Sequence, residues 1–465
     1  MLTRLEVTGF KNLIDFEVDL GPYTCIAGPN GSGKSNVFDA ISFLALLADH
    51  PLMEAAQLVR STDGRSGDPR ALFWSDGQRR ADTMSFATEM IVPESVVDDF
   101  GRETIPTTTF LRYELDLGYE PPSGLSNLGR IVLLREELRH IKSGEAVDRL
   151  RWPHSKARFR DKVIRGRRAG VAFISTVEED VTIIRVHQDG GSRGQPRPSP
   201  AATAPRTIVS TTSTSADPTI LAARREFQSW RTLALEPTAM RTPDAFDAPP
   251  RVAPNGARLA AALYRLAARR AAEEAIDPKV VYSQLATRAS ALTDVRAIRV
   301  DRDERRELLT LEARLRQSGF LPARALSDGT LRFLALCILD IDPDVRGLIC
   351  MEEPENGIHP ARIHAMVDLI RELAVDPRFG PGTDNPLRQV VVNTHSPPFV
   401  QLQSPDELLF ATSATISYDG SPADTLRLLP LAGTWRHRDG APAVSKADIV
   451  AYLTSPPDAQ LTLSA

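Results

Sequence analysis

The chain is 465 residues long, 42% hydrophobic and 25% charged, with a formal net charge of −4. Such a length corresponds to roughly two to three domain-sized units, and the composition is that of an ordinary globular protein with a large core. The slightly acidic balance excludes a globally basic nucleic-acid binder, so any contact with phosphate backbones must come from a local patch.

The first residues, Met1-Leu2-Thr3-Arg4-Leu5, lack the charged and then apolar pattern of a signal peptide. No apolar run approaches the roughly 18 residues of a membrane span. Leu2 to Phe10 and Leu13 to Leu20 alternate like two strands broken at Lys11-Asn12, a hairpin. Tyr23 to Ala27 reads as a buried strand. It runs into Gly28-Pro29-Asn30-Gly31-Ser32-Gly33-Lys34-Ser35, the P-loop pattern G-x-x-x-x-G-K-S. From Asn36 to about Ala48 the apolar residues take helical spacing. Strand, glycine loop and helix is the context the motif needs. The glycines let backbone N–H groups turn inward around phosphate oxygens, and the helix N-terminus adds a positive dipole end. Lys34 is placed to reach the β- and γ-phosphates and the Ser35 hydroxyl to ligate Mg²⁺. Pro51 to Ser61 is a second short helix, and Ala71 to Gln78 a turn. Met84 to Val92, Thr107 to Leu117 and Arg130 to Leu138 read as strands of one antiparallel sheet.

Between Val147 and Arg168 the chain becomes basic. Arg149, Arg151, Lys156, Arg158, Arg160, Lys162, Arg165, Arg167 and Arg168 share this span with Trp152 and Phe159. One reading is a patch for nucleic-acid phosphates with aromatics free to stack. The commoner reading of such a run is a solvated face, here a twisted hairpin. Asp189 to Pro205, rich in Gly, Ser, Pro and Arg, is a loose loop. Thr207 to Thr211 is a strand. Pro218 to Arg231 is a helix opened by Ser215 or Asp217. Thr232 to Pro237 is extended, and Arg241 to Pro254 is a proline-rich connector. Ala257 to Ala275 and Pro278 to Leu292 are helices without an extended heptad run. Val295 to Asp301 and Leu308 to Leu315 are again strands, and a last short helix spans Ile449 to Leu453. The three cysteines, Cys25, Cys337 and Cys350, stand far apart in apolar runs and match no zinc spacing. They read as core thiols, and the expected location is the reducing cytoplasm.

Three further motifs carry chemistry. Leu326-Ser327-Asp328-Gly329-Thr330 precedes a helical run. Ser-x-Gly at a helix start offers a hydroxyl, backbone donors and a dipole end, although Ser-Asp-Gly also serves as an ordinary N-cap. Gly347 to Met351 is a buried strand ending in Glu352-Glu353-Pro354-Glu355-Asn356-Gly357-Ile358-His359-Pro360. Acidic residues at a strand tip serve phosphoryl transfer in two ways: one holds Mg²⁺, usually through water, and the next activates the attacking water. Glu352 takes the first role and Glu353 the second. Gln389 to Asn393 is another β-run, whose tip presents His395 for a γ-phosphate contact.

Together GPNGSGKS, LSDGT, ICMEEPENGIHP and VVNTHSP resemble the ABC-type ATPase head of the RecF, SMC and OLD (overcoming lysogenization defect) group. The resemblance is closest to the group's stand-alone AAA-named ATPases. Leu5 to Leu13 is similar to the group's opening strand pair. The resemblance implies an α/β fold: a P-loop NTPase with an ABC-type head, a mixed sheet plus an antiparallel β flank, interrupted by a mainly helical insertion. Residues 1–145 would be the N-terminal lobe, 146–294 the basic and helical insertion, 295–415 the C-terminal lobe and 416–465 an extension. ATP would be bound by Gly28, Pro29, Asn30, Gly31, Ser32, Gly33, Lys34, Ser35 and Asn36. Ser327, Asp328 and Gly329 would be the signature that grips the ATP of an opposite protomer. Ser35 and Glu352 would hold Mg²⁺, Glu353 would be the catalytic carboxylate and His395 the switch histidine. Glu355 to His359 would stand at the D-loop, and Gln78 is the nearest residue in order for the Q-loop.

The departures are informative. Walker B here is Glu-Glu rather than Asp-Glu, as suits the OLD-like subgroup. Asp328 replaces the glycine usual in transporters. No Asp-x-Asp pair follows His395, so the Toprim nuclease of OLD proteins is not expected in this chain. The expected function is an ATPase that dimerises through two sandwiched ATPs and drives a DNA-linked process, repair or anti-phage defence, with a separate nuclease or effector and no membrane. A nucleotide-gated scaffold with minor turnover, or a transporter's nucleotide-binding subunit, are the alternatives.

Overall fold

The structure, a computed structural model, describes residues 1–59, 68–122, 129–166, 171–178, 180–189, 195–316 and 318–454. It divides into two compact units. Unit 1 comprises Met1–Trp230, Asp376–Pro381 and Ser404–Ala465; unit 2 comprises Arg231–Val375 and Gly382–Gln403.

In chain order the main elements begin with β1 (Leu2–Thr8), β2 (Phe16–Asp19), β3 (Tyr23–Ala27) and α1 (Lys34–Leu47). Then come β4 (Thr83–Ile91), β5 (Phe110–Glu120), β6 (Arg130–His140), β7 (Ile174–Val177), β8 (Ile183–Val186), β9 (Arg197–Pro200) and α2 (Pro218–Ser229). Unit 2 contributes β10 (Arg231–Leu233), α3 (Leu259–Glu274), α4 (Pro278–Ser290), β11 (Val295–Asp303), β12 (Leu308–Leu315) and β13 (Phe320–Pro322). It continues with α5 (Asp328–Ile341), β14 (Gly347–Glu352), α6 (Ile363–Leu373) and β15 (Arg388–Thr394). The chain returns to unit 1 for β16 (Leu408–Tyr418) and β17 (Ser421–Pro430).

Unit 1 is built on an eight-stranded antiparallel sheet in the order β9-β8-β7-β6-β5-β4-β1-β2. Its strands alternate, as a sheet with two different faces must. Leu5 and Val7 of β1 and Leu111, Tyr113, Leu115 and Leu117 of β5 are buried. The opposite face is an ion-pair lattice in which Arg112 joins Glu6 and Glu114, and Arg135 and Arg139 also bind Glu114. Helix α1 sits against the apolar side, where Phe43 meets Phe10 and Phe86 at ring-centroid distances of 6.0 and 5.7 Å. Strand β3 runs parallel to β16, which pairs antiparallel with β17.

In unit 2, β14 lies between β10 and β15, parallel to both. The middles of β14 and β15, Leu348 to Met351 and Val390 to Val392, are continuous buried apolar runs, as buried parallel strands are. Arg388, which opens β15, is fully buried and donates to the carbonyls of Val345, Asp342 and Leu373. Burial pushes its guanidinium down to about 10. A second sheet places β12 between β11 and the short strand Asp244–Ala245, with β13 also paired to β12.

Several elements differ from their sequence expectation. Thr207 to Thr211, β-branched and read as a strand, closes instead into a helical turn, Ile208–Thr211. Thr207 accepts from Ser210 N–H, and the buried Glu136 carboxylate accepts from the Ile208 and Val209 N–H groups, which satisfies a helix start rather than a ladder. The loop expected over Asp189 to Pro205 contains β9, paired to β8. With β7 and β8 it gives the middle of the chain a β component beside its helices. The basic span forms short helical turns, Ala146–Arg149, Lys156–Arg160 and Asp161–Val163, rather than a hairpin.

Candidate functional site

The glycine loop of unit 1 leaves β3 and enters α1 through Gly33 in the left-handed region. Gly28 (φ +151°) and Gly33 (φ +93°) cannot carry a side chain: a Cβ would stand 2.9 Å from Ala411 Cβ and 2.1 Å from Asn12 Nδ2. The backbone must approach its neighbours closely to form the loop, which explains glycine at both ends. Lys34 is 6% exposed and its ammonium donates to the carbonyls of Gly28 and Pro29 at 2.8 Å each. Asn36 Nδ2 donates to Asn12 Oδ1 at 2.7 Å, and Lys11 pairs with Asp39 at 2.6 Å, so the entry hairpin clamps α1. No side chain caps α1 and no acid stands in its first turn. The Ser32 hydroxyl is buried without a hydrogen-bond partner among the described residues. An uncapped fourteen-residue helix, an orphaned hydroxyl and an ammonium held by loop carbonyls are features that suit bound phosphate. Asn30 and Gly31 form the exposed tip, with Pro29 and Ser35 partly buried.

Beside this loop lies a cleft of about 620 Å³ whose lining includes Lys11, Asn12, Arg70, Trp74, Arg80 and Asp424. Gln78 is exposed on an adjacent turn, where its N–H donates to Asp76 Oδ1 at 2.9 Å.

The acidic tip belongs to unit 2. Parallel pairing sets Glu352 opposite Asn393, so the ends of β14 and β15 stand side by side. Glu353 then turns into the left-handed region at φ +44°. A non-glycine residue holds that conformation when its surroundings fix it. Here its N–H faces both the backbone O and Oδ1 of Asn393, at 3.0 and 3.2 Å. Its carboxylate meets His395 Nδ1 at 2.6 Å through Oε1 and accepts from Asn356 Nδ2 at 2.7 Å through Oε2. Glu355 is 6% exposed. Its Oε1 accepts from the Thr394 hydroxyl while its Oε2 has no partner among the described residues. Burial raises its carboxyl above the ordinary range, against the pull of the Thr394 bond. Glu352, Glu353 and His395 thus stand at neighbouring strand ends, and Asn393, Asn356, Thr394 and Glu355 build the frame around them. Asn393 and Thr394 carried one signal in the sequence: polar residues closing an uninterrupted valine run.

The Ser-Asp-Gly turn opens α5 as an N-cap. Ser327 Oγ accepts from Thr330 N at 3.3 Å and lies 2.8 Å from Thr330 Oγ1. Ser327 and Asp328 are exposed. Gly329 is not forced by sterics, since a Cβ there would meet Ile358 Cδ1 at an ordinary 3.5 Å. Asp328 forms an ion pair with Arg241, a partner nothing in the sequence indicated.

The basic span loses its stacking platform. Trp152 and Phe159 are 3% and 0% exposed and pack on each other in unit 1. Arg149 pairs with Glu89, Arg165 with Glu94, and Arg151 donates to His437 O. Lys156, Arg158 and Lys162 remain as an exposed cationic group. Arg167 and Arg168 lie outside the described residues. Helical turns bury the aromatics on one side and leave the cations on the other, so the pattern is that of an amphipathic surface segment.

Comparison with known proteins identifies two segments. Residues 280–401 match the family described as "AAA domain, putative AbiEii toxin, Type IV TA system", and residues 4–53 match an "AAA domain" family. The RecF DNA replication and repair protein of Streptomyces avermitilis is 40% identical over 60 residues, 13% of this chain and 16% of that protein. The OLD nuclease of Thermus scotoductus is 48% identical over 44 residues, 10% of this chain and 8% of that protein. The chain therefore spans only a small part of these relatives. Among solved structures, an SMC head bound to the C-winged helix domain of ScpA aligns over 93% of this chain and 98% of that chain, at 14% identity and a TM-score of 0.46. Among the described residues no helix is long and apolar enough to cross a membrane. Residues 4–53 and 280–401 carry AAA-domain sequence, and short stretches of the chain are similar to RecF and OLD proteins.

Proposed function

We propose that the chain binds and hydrolyses ATP and that two copies close on two ATPs. The loop from Gly28 to Ser35, with Asn36, holds the triphosphate, Lys34 exchanging its loop carbonyls for β- and γ-phosphate oxygens. The cleft beside Asn12 accommodates the nucleoside end. Mg²⁺, assigned to Ser35 and, through water, to Glu352, supplies charge neutralisation at the phosphates. Glu353 takes the proton of the attacking water and His395 orients both. The signature turn, Ser327 to Gly329, grips the nucleotide of a second copy. The observation that carries this reading is the fixed posture of Glu353. A glutamate held at positive φ, with both carboxylate oxygens and its N–H engaged, is a preorganised base rather than a loose surface acid.

The test is steady-state phosphate release by the wild type, Lys34→Ala and Glu353→Gln. Turnover in the wild type, lost in both variants, supports the reading; equal rates in all three sink it. The likeness to RecF and OLD proteins supports coupling of hydrolysis to a process on DNA, repair or defence, with a separate effector such as a nuclease.

A further inference from the structure

Asp328 stands where the signature turn must receive an anion, yet it brings a carboxylate of its own. A guanidinium covers it. Arg241 follows the helical turn Pro237–Met240, pairs with Asp328 through Nη2, and donates from the same nitrogen to Leu326 O at 3.2 Å. Its Nε and Nη1 make no hydrogen bond among the described residues. The pair lies at the surface, with the Arg241 side chain 30% and the Asp328 side chain 54% exposed. A second cation, Arg332, is on α5 one turn further on, within electrostatic reach of Asp328, its Nε buried and unpartnered. One guanidinium therefore holds this carboxylate directly at a helix start, and a second lies within its field and that of Glu355. The dipole alone favours an acid there, so helix stability requires neither.

We propose that Arg241 is a positioning residue of the signature turn: it neutralises Asp328, fixes the Leu326–Asp328 backbone, and leaves its unused donors for the phosphate oxygens of a second copy's nucleotide. The inference rests on reading Ser327 to Gly329 as a nucleotide grip. With Arg241 removed, an uncompensated carboxylate meets an incoming polyanion. Like charges at such range repel by enough to cost about a tenfold loss in affinity or more. Arginine suits the task because its planar fork can hold a carboxylate with one edge and a phosphate with the other. A simple staple between the two segments makes the opposite forecast, since it loses as much from either partner's removal.

The experiment measures self-association of the full chain by light scattering against ATP concentration with Mg²⁺, in a Glu353→Gln background. Arg241→Gln should raise the ATP needed for half-maximal association at least about tenfold, and the defect should shrink as salt rises. Adding Asp328→Asn to Arg241→Gln should recover most of that loss, because the bare carboxylate is gone. Arg241→Lys should recover part of it and serves as the probe if the glutamine variant does not fold, which thermal unfolding checks. An unchanged ATP dependence in Arg241→Gln, or a double variant no better than the single, overturns the role of Arg241. Ser327→Arg separates the two levels. If it leaves association intact, the signature reading fails and this inference with it. If it abolishes association while Arg241→Gln does nothing, only Arg241's role falls.

Discussion

Replacing Glu353 with glutamine alters the chemistry of the acidic tip while leaving its architecture in place. The carboxylate has a donor on Oε2, Asn356 Nδ2 at 2.7 Å, and His395 Nδ1 on Oε1 at 2.6 Å. A glutamine of equal length turns its oxygen to Asn356 and its amide nitrogen to His395, whose Nδ1 accepts once the ring proton sits on Nε2. The backbone posture, set by Asn393, is untouched. Two charge-assisted bonds become neutral ones at a partly exposed site, so the stability cost is about 1–2 kcal/mol. The rate cost is far larger. Loss of a positioned base lowers turnover by about 10²–10⁴, or about 3–5 kcal/mol of barrier at 1.36 kcal/mol per decade. ATP binding, assigned above to the glycine loop of unit 1, should persist. Phosphate release gives kcat, and titration with a fluorescent ATP analogue gives affinity. A kcat within tenfold of wild type at equal nucleotide affinity refutes Glu353 as the base.

The remaining expectations concern the loop, a buried acid and the cationic segment. Gly33→Ala forces a Cβ to within 2.1 Å of Asn12 at φ +93°; we expect about 1–3 kcal/mol of destabilisation in urea and loss of the thermal shift caused by ATP. Burial pushes the Glu136 carboxyl up to about 7 from an ordinary 4.5. Between those values the folded state holds a proton that the unfolded state releases, so stability falls as pH rises, by on the order of 3 kcal/mol in all. Glu136→Gln should abolish that slope, and urea titrations of the two proteins that stay parallel from pH 5 to 7.5 would contradict it. Reversing Lys156, Arg158 and Lys162 to glutamate should weaken DNA binding and flatten its salt dependence, read by fluorescence anisotropy. Trp152→Leu should leave binding unchanged and lower stability, because that ring is core; the opposite pattern would restore stacking as the mode of contact.

Legibility followed the reach of the interactions that set each element. Strong local periodicity identified β4, β5, β6, α3 and α4 to within a few residues, because their apolar faces repeat at the spacing of their own geometry. The glycine loop was readable because φ and close approach demand glycine at fixed positions. Thr207 to Thr211 misled because a carboxylate more than sixty residues earlier in sequence, Glu136, supplies the acceptor that makes a helical turn cheaper than a strand. Trp152 and Phe159 misled because composition does not tell which side of a turn is wet; their burial comes from tertiary packing. Asn12, Asn356 and Arg241 were invisible as partners because each acts across a contact between segments with no shared pattern.

Strand register sets the geometry of the acidic tip. Pairing of Glu352 with Asn393 continues a parallel ladder that begins at Gly347 and Arg388. Arg388 anchors that beginning, since its buried guanidinium binds three carbonyls outside the strand. A slip of one residue would move Asn393 to the opposite face and strip Glu353 N–H of its acceptor. It would also separate His395 from the carboxylate it meets at 2.6 Å. An anchor at one end of β15 would then hold the carboxylate proposed as the base at the other, and Arg388→Met tests the link. Filling the volume without the hydrogen bonds leaves the Val345 and Leu373 carbonyls unsatisfied, at about 1–3 kcal/mol each, while Asp342 O keeps the Val345 N–H. If the anchor sets the register, kcat should fall in this variant with ATP affinity in unit 1 retained. A folded Arg388→Met protein with wild-type kcat would show that the valine run holds the register unaided.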